Sequence, residues 1–116
     1  MNIRMSASGF ELSAELEKYA KAKMAHLAKR VPRTLRAEAL CDIHFVQVRK
    51  KSTELNTCSF SLTVEGNRLR SEEATPHLYT ALDIAVVHVE HQLADYLAKR
   101  PKPAVAGRLR RRLRLG

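Results

Sequence analysis

His88 and His91, three apart in "HVEH", have a spacing that lets one face of a helix offer two imidazoles to zinc. A structural or catalytic zinc needs at least one more protein ligand, and none stands at a recognisable distance. The two are therefore expected to be surface histidines. Glu72 and Glu73 are adjacent, so a strand would send them to opposite sides, which makes them poor partners for acid–base work. Cys41 and Cys58 each fall in alternating, strand-like sequence and read as buried, reduced thiols. The four glycines are scattered, so there is no phosphate-cradling loop, and no Ser/His/Asp or Cys/His set emerges from spacing. The expectation is a protein that is not an enzyme and has no cofactor, metal or small-molecule substrate. What the residues do offer is phosphate chemistry. The chain ends "GRLRRRLRLG", and guanidinium makes bidentate contacts with phosphate and stacks on bases.

The charge is unevenly placed. The net charge is +9, yet residues 1–98 hold 13 of the 21 Lys and Arg against all 12 Asp and Glu. Lys99, Arg100, Lys102, Arg108, Arg110, Arg111, Arg112 and Arg114 supply nearly all the excess, with no acid among them. Such a block seeks a polyanion. Nucleic acid suits it better than a membrane, because the segment has no aromatic residues and few leucines. The opening "MNIRMSASGF" has no apolar signal-peptide core, and no apolar run approaches bilayer length, so a cytoplasmic protein is expected.

The elements that must position these cations follow from periodicity. Ile3, Met5 and Ala7 alternate with polar residues in a first strand. Ser13 can cap a helix whose Leu16, Ala20, Met24, Leu27 and Val31 share one stripe, ending before Pro32. Ala39, Cys41, Ile43 and Phe45 mark a second strand, and "TCSFSLTV" a third. Gly66-Asn67 predicts a hairpin into a fourth strand around Arg68–Ser71. Thr75-Pro76 predicts the start of a helix striped by Leu78, Leu82, Ala85, Val86, Val89 and Leu93. The order β-α-β-β-β-α implies an α+β two-layer sandwich, a four-stranded sheet with two helices on one face. Residues 1–100 would form this body and residues 101–116 a disordered basic tail.

The sheet's open face, read as Thr57, Ser59, Ser61, Thr63, Arg68 and Arg70, has no aromatic residue on which bases could stack. A reader of RNA shape and phosphate is the remaining mode. Its candidate contacts on the first helix are Lys18, Lys21, Lys23, Lys29 and Arg30. The loop after the second strand adds Arg49, Lys50 and Lys51, and the sheet Arg68 and Arg70. The last helix adds His88, His91 and Lys99, followed by Arg100 and the five tail arginines.

Two segments then identify a resemblance. "FELSAELEKYAKAKMAHLAKR" is similar to the opening helix of the ribosome hibernation-promoting factor and ribosome-associated inhibitor A family, through Phe10, Leu12, Ser13, Leu16, Tyr19, Lys23 and Leu27. "EATPHLYTALDIAVVHVEHQLADYL" resembles that family's second helix, through Leu78, Tyr79, Ala81, Leu82, Asp83, Gln92 and Leu93. The likeness is to the short form and covers roughly residues 1–100. It implies a fold related to double-stranded-RNA-binding domains. It also implies docking on rRNA in the decoding region of the small ribosomal subunit, in competition with tRNA, mRNA and initiation factors, to silence translation under stress. Where the family carries a basic stripe on its second helix, this chain has His88, His91 and Asp95. Its histidine-rich loop is replaced by "RKKSTELN", and the arginine tail is an addition. Two other readings are a general RNA-binding or RNA-chaperone module not tied to the ribosome, and a protein-interaction domain.

Overall fold

A computed structural model describes residues 1–51 and 53–100. Residues 101–116, read from the sequence as a disordered tail, lie outside the described residues. Strand β1 (Asn2–Ser8) leads to helix α1 (Ala14–Ala28) and a short helix α2 (Arg33–Arg36). Strands β2 (Leu40–Lys50), β3 (Thr53–Val64) and β4 (Asn67–Thr75) follow, then helix α3 (Leu78–Lys99). The four strands form one sheet in the order β1-β2-β3-β4. The sheet is mixed: β1 runs parallel to β2, while β2, β3 and β4 pair antiparallel. This is the expected α+β sandwich, with the one-turn α2 as an addition.

One core joins the layers. Leu16, Ala20, Met24 and Leu27 of α1 pack with Leu82, Ala85, Val89 and Leu93 of α3. Beneath them lie Cys41, Ile43 and Phe45 of β2 and Cys58, Phe60, Leu62 and Val64 of β3. The alternation in β2 and β3 is what puts one apolar face against the helices and leaves the other polar. Burial pushes both thiols up to about 12, so Cys41 and Cys58 are inert packing residues.

The ends of the elements differ from the sequence expectation in four places. Helix α1 stops at Ala28, so Val31 is buried just beyond the helix and not on its stripe. The β3–β4 turn is Glu65-Gly66, one residue earlier than Gly66-Asn67, because Val64 pairs with Asn67. Both turn residues take left-handed backbone, φ 52° and 78°, as the tightest two-residue hairpin requires. β4 runs on to Thr75, so Thr75-Pro76 does not open the helix. α3 begins at Leu78 behind His77, whose amide is bonded by the Thr75 hydroxyl at 3.1 Å. The stretch read as a loop, "RKKSTELN", is instead mostly paired strand, with Arg49 opposite Glu54 and Lys50 opposite Thr53. Ser13 does cap α1, its hydroxyl accepting from the Leu16 amide at 3.0 Å.

Candidate nucleic-acid interface

The candidate cations fall into four groups, and the sheet decides which are available. Lys18 and Lys21 on α1, and Lys29 just past its end, are exposed. Lys23 is different. Its ammonium lies 3.1 Å from the Asp83 carboxylate of α3 and 5.4 Å from the centre of the Tyr19 ring. The Tyr19 hydroxyl donates to the same Asp83 oxygen at 2.6 Å, and the Tyr79 ring meets Tyr19 edge-on at 4.9 Å. The shared hydrogen bond to Asp83 holds the Tyr19 and Lys23 protons more tightly than usual, raising both groups above their ordinary 10.0 and 10.5. Arg30 also turns to α3, 3.6 Å from Glu90. Asp83 and Glu90 of α3 thus meet Lys23 of α1 and Arg30 just beyond its end, across the gap between the two helices.

The last helix contributes less than its sequence promised. His88 Nδ1 lies 2.8 Å from Glu73 and 3.3 Å from the Ser71 hydroxyl, so the ring faces β4. His91 and Lys99 are exposed. Arg100 forms two contacts with Glu65 on the β3–β4 turn, one of them 2.8 Å, and Tyr96 donates to Glu65 at 2.8 Å. The Arg100 and Tyr96 bonds hold the Glu65 carboxyl below its ordinary 4.5. Arg100 therefore ties the end of α3 to the sheet. Among the described residues, no group of three or more His, Cys, Asp or Glu could hold a metal ion.

The open sheet face holds a shallow depression of about 370 Å³ lined by Asp42, His44, Ser59, Ser61, Arg68 and Arg70. Ser61 is only 5% exposed, overlaid by its neighbours, and His44 is held by Ser6 at 2.7 Å. Register places Arg4 beside Asp42, adding a cation that sequence reading left out. At the far end of β2 and β3 stand Arg49, Lys50 and Lys51, all exposed, with Glu54 4.0 Å from Arg49. Arg108, Arg110, Arg111, Arg112 and Arg114 lie outside the described residues. The structure gathers Arg49–Lys51 at one tip and Arg68 with Arg70 on the sheet; it does not bring the α1 lysines together with either.

Residues 3–101 match the family described as Sigma 54 modulation protein / S30EA ribosomal protein. The chain belongs to the S30EA ribosomal protein family. Two solved structures share the fold of this S30EA protein. The Thermus thermophilus Protein Y N-terminal domain superposes with a TM-score of 0.70 at 23% identity, covering 83% of this chain and 99% of that one. A ribosomal subunit interface protein from Coxiella burnetii gives 0.67 at 22% identity, covering 85% of this chain and 100% of that one. A search of curated protein sequences finds no match. The family match spans the body that carries both helices and all four strands, and so covers every described candidate cation.

Proposed function

We propose that this S30EA family member is a ribosome hibernation factor, which binds rRNA in the decoding channel of the small subunit and blocks translation under stress. Tyr19, Lys23, Tyr79 and Asp83, which carry the resemblance, stand together between the helices, while Gln92 bonds the β4 edge at Arg70. The observation that carries the reading is the family match over residues 3–101. The subunit interface protein of Coxiella burnetii, whose fold this chain shares, points the same way. The protein acts by occupying space, with no reaction to catalyse, and works in the cytoplasm, where it competes with tRNA, mRNA and initiation factors.

Charge supports an RNA partner and constrains the footprint. Lys23, Arg30 and Arg100 are already paired with Asp83, Glu90 and Glu65, so phosphate would have to displace a carboxylate to reach them. Lys18, Lys21, Lys29 and the Arg49–Lys51 tip are exposed, and they are the body's contacts in this reading, with Arg68, Arg70, His88, His91 and Lys99 less central. The arginines after residue 107 supply the remaining phosphate affinity.

Sedimentation of stationary-phase lysate through sucrose tests the proposal. Co-migration with small subunits or whole ribosomes is expected, together with inhibition of in vitro translation at about one protein per ribosome, since one channel holds one plug. A spread over free RNA would favour the general RNA-binding module instead. Inhibition needing large excess and acting equally on naked RNA would reject the channel plug.

A further inference from the structure

Strands β2 and β3 outrun their neighbours. The last β1 residue, Ser8, pairs with Val46, and the last β4 residue, Thr75, pairs with Asn56. Beyond those positions Val48–Lys50 and Thr53–Leu55 pair only with each other, a two-stranded ribbon projecting from the sheet with Gln47 and Asn56 at its base. A ribbon this narrow is marginal in water unless something steadies it. Its helix-side face supplies that support. The Gln47 amide donates to Glu54 at 2.5 Å and to Asn56 at 3.0 Å, and Asn56, only 3% exposed, donates to the Pro76 carbonyl at 2.8 Å. The Gln47 and Asn56 amides on that face are occupied within the protein.

The opposite face is left open. Val48 and Leu55 are register partners, side by side, and are 41% and 45% exposed. They add nothing to the core, and the next rung outward is Lys50 with Thr53, then Lys51 at the turn. An apolar rung bordered by Lys50 and Lys51, with Arg49 and Glu54 on the other face, fits a polyanion that also offers apolar faces. A nucleic acid strand does so, because ribose and base faces alternate with phosphates. We propose that the ribbon is an RNA-contacting arm: Val48 and Leu55 pack against a nucleoside while Lys50 and Lys51 take the flanking phosphates. RNA loops, bulges and single strands present such unstacked nucleosides, which a narrow projecting ribbon can reach. The inference rests on the ribosome reading and adds to it a non-electrostatic contact that net charge does not reveal.

The apolar and charged parts separate by salt dependence. Val48→Thr with Leu55→Thr leaves a β-branched, strand-favouring residue at both positions and removes the apolar rung, so folding is spared. Its affinity for purified small subunits should fall on the order of tenfold with an unchanged slope of log affinity against log salt. Lys50→Gln with Lys51→Gln should instead flatten that slope by roughly one to two units. Wild-type affinity in the Thr pair, with both proteins melting alike, would overturn the proposal. If the wild type did not bind subunits at all, the ribosome reading would fail separately. A labelled single-stranded RNA would then decide the arm: a similar salt-independent loss in the Thr pair upholds it, and no loss overturns it. Concentration-dependent dimers of the free wild type, abolished in the Thr pair, would make the rung a contact between copies and reject the RNA assignment.

Discussion

Gly9 and Gly66 both hold left-handed backbone, at φ 86° and 78°, yet they answer to different neighbours. A Cβ on Gly9 would fall 2.2 Å from the Gln47 carbonyl oxygen, whereas one on Gly66 would meet nothing within 4 Å. Gly9→Ala must move the backbone where the ribbon leaves the sheet, and should cost more than about 2 kcal/mol in urea unfolding. Gly66→Ala carries only the left-handed penalty, about 1 kcal/mol. Equal costs would show that Gly9 has room. The Asp83 cluster makes a second residue-scale prediction, in alkali. Tyr19 and Lys23 have folded-state values above their ordinary 10.0 and 10.5, so their contribution is complete below those values. It is lost as pH rises through the raised ones. Melting temperature followed from pH 8 upward should therefore fall less in Asp83→Asn than in wild type, each measured against its own pH 8 value. Parallel curves would remove Asp83 as the cause.

At the scale of elements, β4 is an outer strand whose edge is partly closed by a side chain. Gln92 of α3 accepts from the Arg70 amide at 3.1 Å and donates to the Arg70 carbonyl at 2.8 Å, as a neighbouring strand would. Gln92→Leu removes both bonds and should cost about 1–2 kcal/mol. The Arg70 amide should then exchange with solvent faster, as read by NMR, while amides of β3 keep their protection. The same elements show what sequence can carry. Cys58, Phe60, Leu62 and Val64 were legible as an inward face because each is buried, and burial writes period two into composition. The ribbon has the sequence character of a loop for the converse reason. Neither Gln47–Lys50 nor Thr53–Leu55 faces the core, so nothing enforces alternation there. The turn slipped by one because Glu65 takes a conformation that usually signals Asn, Asp or Gly. Pairings such as Tyr19 with Asp83, 64 residues apart, had no local signature, so the cations of α1 looked freer than they are.

Across the whole molecule, residues 1–98 are nearly neutral, and the excess charge follows. Removing residues 104–116 should leave the melting temperature unchanged, since neither helix stripe extends there. It should also flatten the salt dependence of ribosome binding by about three to five units if all five arginines meet phosphate. An unchanged slope would make the segment a solubilising appendage and leave attachment to α1 and the ribbon. The Glu65–Arg100 contact fixes where that segment departs. Arg100 is held at the β3–β4 turn, at the opposite end of β3 from Lys51. From Val64 to Thr53 the strand spans roughly 35 Å. Arg100 and the Arg49–Lys51 tip thus stand at opposite ends of β3, and in the proposed ribosome reading attachment through the tip and through the arginines after residue 107 would be bivalent. Once one end is seated, the other searches a small volume at an effective concentration in the range of short tethers, about millimolar. Two contacts that are each weak in physiological salt would then hold together, and loss of either would release both.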